Sequence, residues 1–371
     1  MNKLENKKLH LISFDVPFPA NYGGVIDVFY KINSLHKIGV KVILHCFQYG
    51  REKSNELSEI CDKVYYYERN KSLITHFSIK PYIVKSRAVK SLYENLNKDD
   101  YPILFEGIHT TAFIPHFPKK RVFIRAHNIE WEYYKNLHKS EKKIVKRMFF
   151  WIESRRLKIY EKKIYKGQKA FAISEADGAK LNLLGGNTTL LNPFHANTFF
   201  NTKVESSDFA LYHGNLNIND NENAALFFID LFKSIPNQLV IAGLNPSNKL
   251  KSKIAKISNI QLIESPHQDE LKKLIANAKL NLFFSNHSSG VKLKLINALF
   301  NANHCLIGKE FVVNDDFKHV CTVVEQNEWK EKILKLFKTP FDKNSLEKRN
   351  RVLMKYLNDS NLNTLCEVIF N

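Results

Sequence analysis

Residues 288–299 read Ser-Ser-Gly-Val-Lys-Leu-Lys-Leu-Ile-Asn-Ala-Leu. Small polar residues and a glycine lead there into an apolar-periodic stretch, Val291 to Phe300, whose spacing predicts a helix. Lys292 and Lys294 fall in its first turn, where free backbone N–H groups already favour an anion. Cations and fixed donors at one place suit a specific task, the stabilisation of a departing diphosphate. Lys292 is the first choice for the phosphate contact and Lys294 the second, because residues at i and i+2 cannot share one helix face. Ser289 and Gly290 would add hydroxyl and backbone contacts to phosphate or sugar, or cap the helix.

Other reactive types follow strand-like runs. Pro19 to Gly24 (PANYGG) is a loop in which Gly23 and Gly24 would let backbone approach a diphosphate or an acceptor, with Asn21 and Tyr22 as acceptor-side candidates and Asp15 to orient the loop. His127, after the apolar run ending Arg125-Ala126, is the main sugar-contacting or proton-managing candidate. His109, in Phe105-Glu106-Gly107-Ile108-His109, is the second, with Glu106 as a possible acceptor contact. Arg125 suits either a phosphate or a structural carboxylate. Gly214 and Asn215, in His213-Gly214-Asn215, close another strand-like run, where ligands are met in open α/β sheets. No His/Asp/Glu cluster has metal-ligand spacing and no DxD occurs, so no metal and no resident cofactor is expected.

These residues need elements to hold them. Residues 9–16 alternate as a strand, Val25 to Ile38 read as a helix, and Val40 to Phe47 form a buried strand, which makes a βαβ unit. Strands follow at 63–67, 103–106, 121–126 and 170–174, the last closing the set. After a junction near 185–205 the pattern restarts, with strands at 209–213, 238–242, 259–263, 280–284 and 305–307 and helices between them. The fold class is therefore α/β, two Rossmann-like doubly wound domains facing a cleft. The expected domains are 1–190 and 205–346, with 345–367 as one terminal helix and 347–371 packing back on the first domain.

Composition narrows the class. The chain has 371 residues, 44% of them hydrophobic and 12% aromatic, which supplies real cores and excludes global disorder. No apolar run reaches a membrane span, and the polar start Met1 to Lys8 has no signal core. Five scattered cysteines without a CxxC pair favour a reducing, cytoplasmic setting. The net charge is +19, and its densest stretch, Lys139 to Lys169, holds twelve Lys/Arg against three Glu. Ile144, Met148, Phe149, Ile152, Leu157, Tyr160 and Ile164 recur there at helical spacing. The stretch reads as one or two basic amphipathic helices, either simply solvated or drawn to an anionic membrane surface. Nucleic acid is not expected as a partner, because no motif for it accompanies the charge.

The segment from Ser288 to Leu299 resembles the donor-binding motif of GT-B-fold glycosyltransferases, especially the retaining enzymes of family 4. Three further segments resemble that family in the same order: PANYGG; Arg125 to Glu130 (RAHNIE) followed by Tyr133-Tyr134; and His213 to Leu216 (HGNL) followed by Asn221 to Ala225. The HGNL and KLKLINAL runs are similar to those of a bacterial subgroup. The resemblance implies transfer of a sugar from a UDP- or GDP-linked donor to a glycan or lipid-linked glycan acceptor in cell-surface synthesis. It also implies a metal-independent reaction with retention, and Asn297 at the nucleotide ribose. The chain departs from the family at Ser289 and Asn297, where glutamates are usual, and at Asn215, where arginine is usual. A nucleotide-sugar epimerase and a non-catalytic nucleotide-sugar or glycan binding protein are the alternatives on the same fold.

Overall fold

The structure is a computed structural model that describes residues 4–72, 75, 78–200, 207–285, 293–312, 314–325 and 327–371. The chain divides into two compact units: Met1–Ala196 with Tyr356–Asn371, and Asn197–Lys355.

The first unit is built on strands β1 (Lys8–Ser13), β2 (Lys41–Gln48), β3 (Lys63–Glu68), β4 (Ile103–Glu106), β5 (Val122–Arg125), β6 (Lys169–Ala172) and β7 (Asn187–Leu190). They pair in parallel in the order β3-β2-β1-β4-β5-β6-β7. The order reverses between β1 and β4, and in open parallel sheets ligands collect at the carboxyl ends of such a switch point. Helices cover both faces, so the central strands are buried throughout: every residue of β4 and β5 is buried. The helix Gly23–Lys37 packs Val28, Ile32 and Leu35 with Leu362, Leu365 and Ile369 of the helix Asn358–Phe370 in one core.

The second unit carries β8 (Ser207–Asn215), β9 (Gln238–Leu244), β10 (Ile260–Glu264), β11 (Ala278–Phe283), β12 (His304–Gly308) and β13 (Thr322–Val324). They are again parallel, in the order β10-β9-β8-β11-β12-β13, with the reversal between β8 and β11. Its core gathers Phe228, Phe232, Ile241, Leu282, Leu306 and Trp329.

Two sequence expectations need correction. Strands β7 and β13 were not expected; each is a short edge strand, and β7 (Asn-Thr-Thr-Leu) lacks a buried residue to betray it. The single terminal helix is two, Lys343–Leu353 and Asn358–Phe370. Buried Arg349 ties the first to Ala302 O at 2.8 Å, whereas the Asn358 carboxamide exchanges bonds with the His195 backbone at 2.7 and 3.1 Å. The side chains thus anchor the two halves to different cores, and the chain between them leaves helical geometry at Leu357.

The basic segment forms one helix, Ile144–Tyr165, in keeping with the expected one or two, and the helix Glu130–Ser140 precedes it. Its second half is packed, through Leu157, Tyr160, Ile164 and Tyr165. The first half leaves Ile144 74% and Val145 77% exposed, with Met148 and Trp151 also at the surface. Among the described residues no helix is long and apolar enough to cross a membrane.

Candidate functional site

At the carboxyl end of β1, β4 and β5 the chain turns inward onto a fully buried charge cluster. Lys31 and Asp27 lie one helical turn apart on the face of the helix Gly23–Lys37 that meets the sheet, and neither is exposed. Lys31 Nζ donates to Glu106 Oε1 at 2.7 Å and to Asp27 Oδ2 at 3.3 Å. Arg125 Nε donates to Asp27 Oδ2 at 3.0 Å, and its Nη1 donates to Leu191 O at 2.5 Å. The Phe194 N–H donates to Asp27 Oδ1 at 2.7 Å. Burial pushes the Asp27 carboxyl up, but Arg125, Lys31 and His127 outweigh it and hold the group well below the usual range. Burial acts the same way on Glu106, where Lys31 and the bond from His127 prevail. Two carboxylates and two cations close on one another with no net charge. A buried network of this kind survives because each carboxylate oxygen has a donor, although Arg125 Nη2 is buried without an acceptor.

His127 stands over this cluster. Its Nε2 is 2.8 Å from Glu106 Oε2 and its Nδ1 is 3.8 Å from Asp27 Oδ2. An ionised carboxylate can only accept, so Nε2 carries the proton in that bond. The Phe14 ring stands edge-on to His127, 5.3 Å between centroids, and 5.5 Å from His109. Gly107 makes the turn after β4 at φ +71°, and a Cβ there would lie 2.9 Å from His109 Nδ1. That nitrogen is buried and accepts or donates no bond. Burial, Arg87 and His127 push the His109 imidazole well down, so it is neutral.

The glycine loop is placed by the same geometry. Gly23 and Gly24 are not loop residues but open the helix that carries Asp27 and Lys31; Tyr22 precedes it with no side-chain cap, so first-turn N–H groups stay available. A Cβ on Gly24 would lie 2.5 Å from the Phe14 ring, so the glycine is needed for that packing. Asp15 accepts from Tyr22 Oη at 2.8 Å and from Val16 N at 2.9 Å, and Asn21 Oδ1 accepts from Arg51 at 2.8 Å.

The structure thus gathers His127, His109, Glu106, Arg125, Gly23, Gly24, Tyr22 and Asn21 at one end of one sheet. Glu106 and Arg125 are fully buried and committed to Lys31, His127, Asp27 and backbone carbonyls, which makes them positioning residues rather than the acceptor contacts expected of them. Asp27 and Lys31 were missed by sequence reasoning. Their signal was present: opposite charges at i and i+4 on the apolar stripe of Val28, Ile32 and Leu35.

In the second unit the corresponding position is the end of β8 and β11. Gly214 lies within β8, where a Cβ would meet the Asn221 side chain at 3.2 Å. Asn215 ends the strand, exposed, and its carbonyl accepts from Asn221 Nδ2 at 3.0 Å. Lys294, in the helix Leu293–Asn301, reaches Asn221 Oδ1 at 3.4 Å and sits 5.5 Å from the Tyr212 ring centroid and 5.3 Å from that of Phe311. Burial and Lys294 push His213 down to about 3, a neutral core histidine. Asn297 faces along the same helix, accepting from Asn301 Nδ2 through its carbonyl at 2.7 Å. Lys294, Asn215 and Gly214 therefore share Asn221 as a neighbour. Ser289, Gly290 and Lys292 lie outside the described residues.

One set of potential metal ligands exists among the described residues: Asp27, Glu106 and His127 bring single atoms within 4.8 Å of one another. Lys31 and Arg125 already neutralise those carboxylates, so a divalent ion would have to displace the Lys31 ammonium from Glu106.

No protein-family model matches the chain. A Klebsiella pneumoniae protein described as an uncharacterised 44.6 kDa protein of the cps region is 28% identical over 324 residues, covering 79% of this chain and 81% of that protein. Among solved structures, TarM is similar over 98% of this chain and 99% of its own, at 12% identity and a TM-score of 0.67. HepE from Anabaena, solved with UDP and glucose, is similar over 98% and 99% at 11% identity, with a TM-score of 0.63. A UDP-glucosyltransferase from Polygonum tinctorium aligns over 100% of both chains at 10% identity and a TM-score of 0.58. Two parallel-strand sheets with flanking helices, matched over their full length by glycosyltransferase structures, make this a chain of the GT-B fold.

Proposed function

We propose that the chain is a glycosyltransferase that moves a sugar from a nucleoside-diphosphate donor, UDP- or GDP-linked, to an acceptor hydroxyl in cell-surface glycan synthesis. The observation that carries this is the paired placement of polar side chains. Each sheet reverses its strand order once, and the residues with chemistry to offer cluster at the carboxyl end of that reversal. The full-length likeness to structures solved with UDP and sugars supports it. The cps-region relative supports a capsule-type polysaccharide as the product.

In this reading Lys294 and Lys292, with Ser289 and Gly290, hold the donor diphosphate, and Gly214, Asn215 and Asn297 hold the nucleoside. On the first unit, the uncapped N–H groups at Gly23 and Gly24 suit an anionic oxygen of a ligand. Charge develops on the bridging oxygen as the bond to the anomeric carbon breaks, and these fixed donors lower that barrier without a metal. The acceptor hydroxyl attacks the same carbon. In a retaining course its proton passes to the departing phosphate oxygen. His127 and His109 then orient the sugar, and Glu106, Asp27 and Lys31 keep His127 in place.

The exposed first half of the helix Ile144–Tyr165 is the membrane-facing element of this reading. It interleaves Ile144, Val145, Met148 and Trp151 with Lys146 and Arg147, and Lys142 and Lys143 directly precede it, the composition that settles at anionic headgroups. Replacing those four cations with Gln is expected to abolish co-sedimentation with anionic vesicles.

Calorimetric titration of UDP, GDP, CDP and dTDP into the full chain tests the core of the proposal. One diphosphate should bind, and Lys292→Ala or Lys294→Ala should weaken it about tenfold or more, the loss of one charge-assisted contact. Failure of every diphosphate to bind refutes the donor assignment.

A further inference from the structure

Beside the histidines, the first sheet ends in a shelf that the donor chemistry leaves unused. Tyr49 and Arg51 follow β2, Arg69 follows β3, and the neighbouring strand ends pair in register through Gln48 and Glu68. The Arg69 guanidinium lies 4.4 Å from the Tyr49 ring centroid and 5.6 Å from that of Tyr82, so two aromatic faces fix its plane. Its Nη2 donates to Ser86 Oγ at 3.1 Å, and its Nε is shielded without an acceptor. Arg51 lies over the Tyr22 ring at 5.5 Å, its Nη1 donating to Asn21 Oδ1 at 2.8 Å and its Nη2 to Pro19 O, with a shielded Nε that has no acceptor. Arg87, 4% exposed, supports the shelf from below through two bonds to Phe14 O at 3.1 and 3.0 Å.

Among the described residues no carboxylate forms an ion pair with any of the three arginines. The acids nearest in charge are committed elsewhere: Asp15 to Tyr22 and Val16, Glu130 to Asn128. Burial raises both carboxyls toward neutrality. Burial and Arg69 lower the Arg87 guanidinium to about 9, against an opposing pull from Tyr134 and Asp15. Structural arginines buried in a fold normally find carboxylates. A guanidinium flanked by aromatic rings whose Nη1 is neither bonded nor shielded is instead suited to a planar or tetrahedral oxyanion.

We propose that this shelf, with Arg69 as its centre and Arg51 at its rim, binds an anionic group carried by the acceptor, so that the acceptor is an acidic glycan bearing a carboxylate or a phosphate. The proposal rests on the glycosyltransferase reading for the word acceptor. The Tyr49 and Tyr82 rings give the sugar a stacking face, and the guanidinium fork reads the charge. The shelf adjoins His109, whose imidazole feels both Arg69 and Arg87. A ligand held there by its anionic group has its hydroxyls beside the two histidines.

The test is direct binding to the full chain by ligand-observed NMR, with glucuronate, glucose 6-phosphate and glucose as probes and UDP titrated separately. At least one acidic sugar should bind about tenfold or more tightly than glucose. Arg69→Ala should remove that preference, Arg69→Lys should restore only part of it because the fork is lost, and Lys335→Ala on the second unit should leave it intact. Circular dichroism checks each fold, and Arg51→Ala supplies a second variant at a more exposed position. Glucuronate against glucose 6-phosphate separates the carboxylate from the phosphate. Equal binding of acidic and neutral sugars, or a preference that survives both arginine variants, overturns the shelf. Failure of UDP, GDP, CDP and dTDP alike to bind overturns the transferase reading instead, and the sugar titrations still report on the shelf.

Discussion

Glu130 offers a measurable consequence of the packing around the histidines. Its side chain is 4% exposed, and Asn128 is its only near donor, at 3.4 Å. Burial raises the carboxyl to about 7, against a small opposing pull from Asn128 and Arg87. In the unfolded chain the group titrates near 4.5. A carboxyl raised on folding is easiest to accommodate when protonated, so its contribution is intact below the unfolded value and is lost as pH climbs through the folded one. With those two values, the first unit should lose about 2–3 kcal/mol between about pH 5 and about pH 8 from this residue. Glu130→Gln keeps the shape and cannot ionise, so it should remove that slope and be the more stable protein at the alkaline end. Amide hydrogen exchange of peptides from β4 and β5, followed by mass spectrometry, reads the stability of this unit separately from the other. A difference between wild type and Glu130→Gln that stays constant over that pH range would refute the reasoning, because it would mean the carboxyl is solvated or paired in the folded state.

Two further outcomes follow from the same unit. Lys31→Met leaves Glu106 and Asp27 facing each other without their shared cation, and should cost about 3–5 kcal/mol in urea unfolding, with a smaller loss when Glu106→Gln is added. The second concerns the opposite end of the sheet, where His10 Nδ1 and His45 Nε2 lie 2.9 Å apart and His45 Nδ1 meets Tyr67 Oη at 2.8 Å. Burial, reinforced by His10, holds His45 well below its ordinary 6.5. A base depressed on folding contributes stability above its unfolded value and loses it as pH falls. The His45→Gln variant should therefore show a shallower loss of stability than wild type from about pH 7 to about pH 5, measured by the same exchange experiment.

The sequence carried the alternation of strands and helices because the buried strands are continuous apolar runs, as in Val42 to Phe47 and Ile103 to Phe105. It did not carry β7 or β13, because an edge strand needs no apolar signature and their partners supply the register. It placed His127 and His109 at strand ends, since a polar residue directly after an apolar run is legible as such. It could not show that Glu106 and Arg125 point inward. Their orientation depends on Asp27, 98 residues before Arg125, and on Lys31, 75 residues before Glu106. Pairings at that separation exist only once the sheet has formed.

The buried cluster also bears on why charge is spent in a core at all. An apolar set of similar volume would hold the helix Gly23–Lys37 to the sheet at least as well, since desolvation offsets most of what four buried charges gain from one another. What apolar packing would not give is direction. Asp27 receives Arg125 from β5 and the Phe194 N–H from the segment after β7, while Lys31 receives Glu106 from β4. Each bond fixes one distance between the glycine-led helix and a different strand end, and the last oxygen of Glu106 fixes His127. The helix terminus at Gly23 and the imidazole of His127 are thereby set by one hydrogen-bonded framework, with angular tolerances that dispersion contacts do not impose. A site that works by prepositioned donors needs that constraint more than it needs stability. On this argument Lys31→Met should disturb ligand binding at the strand ends even at temperatures where the unit remains folded.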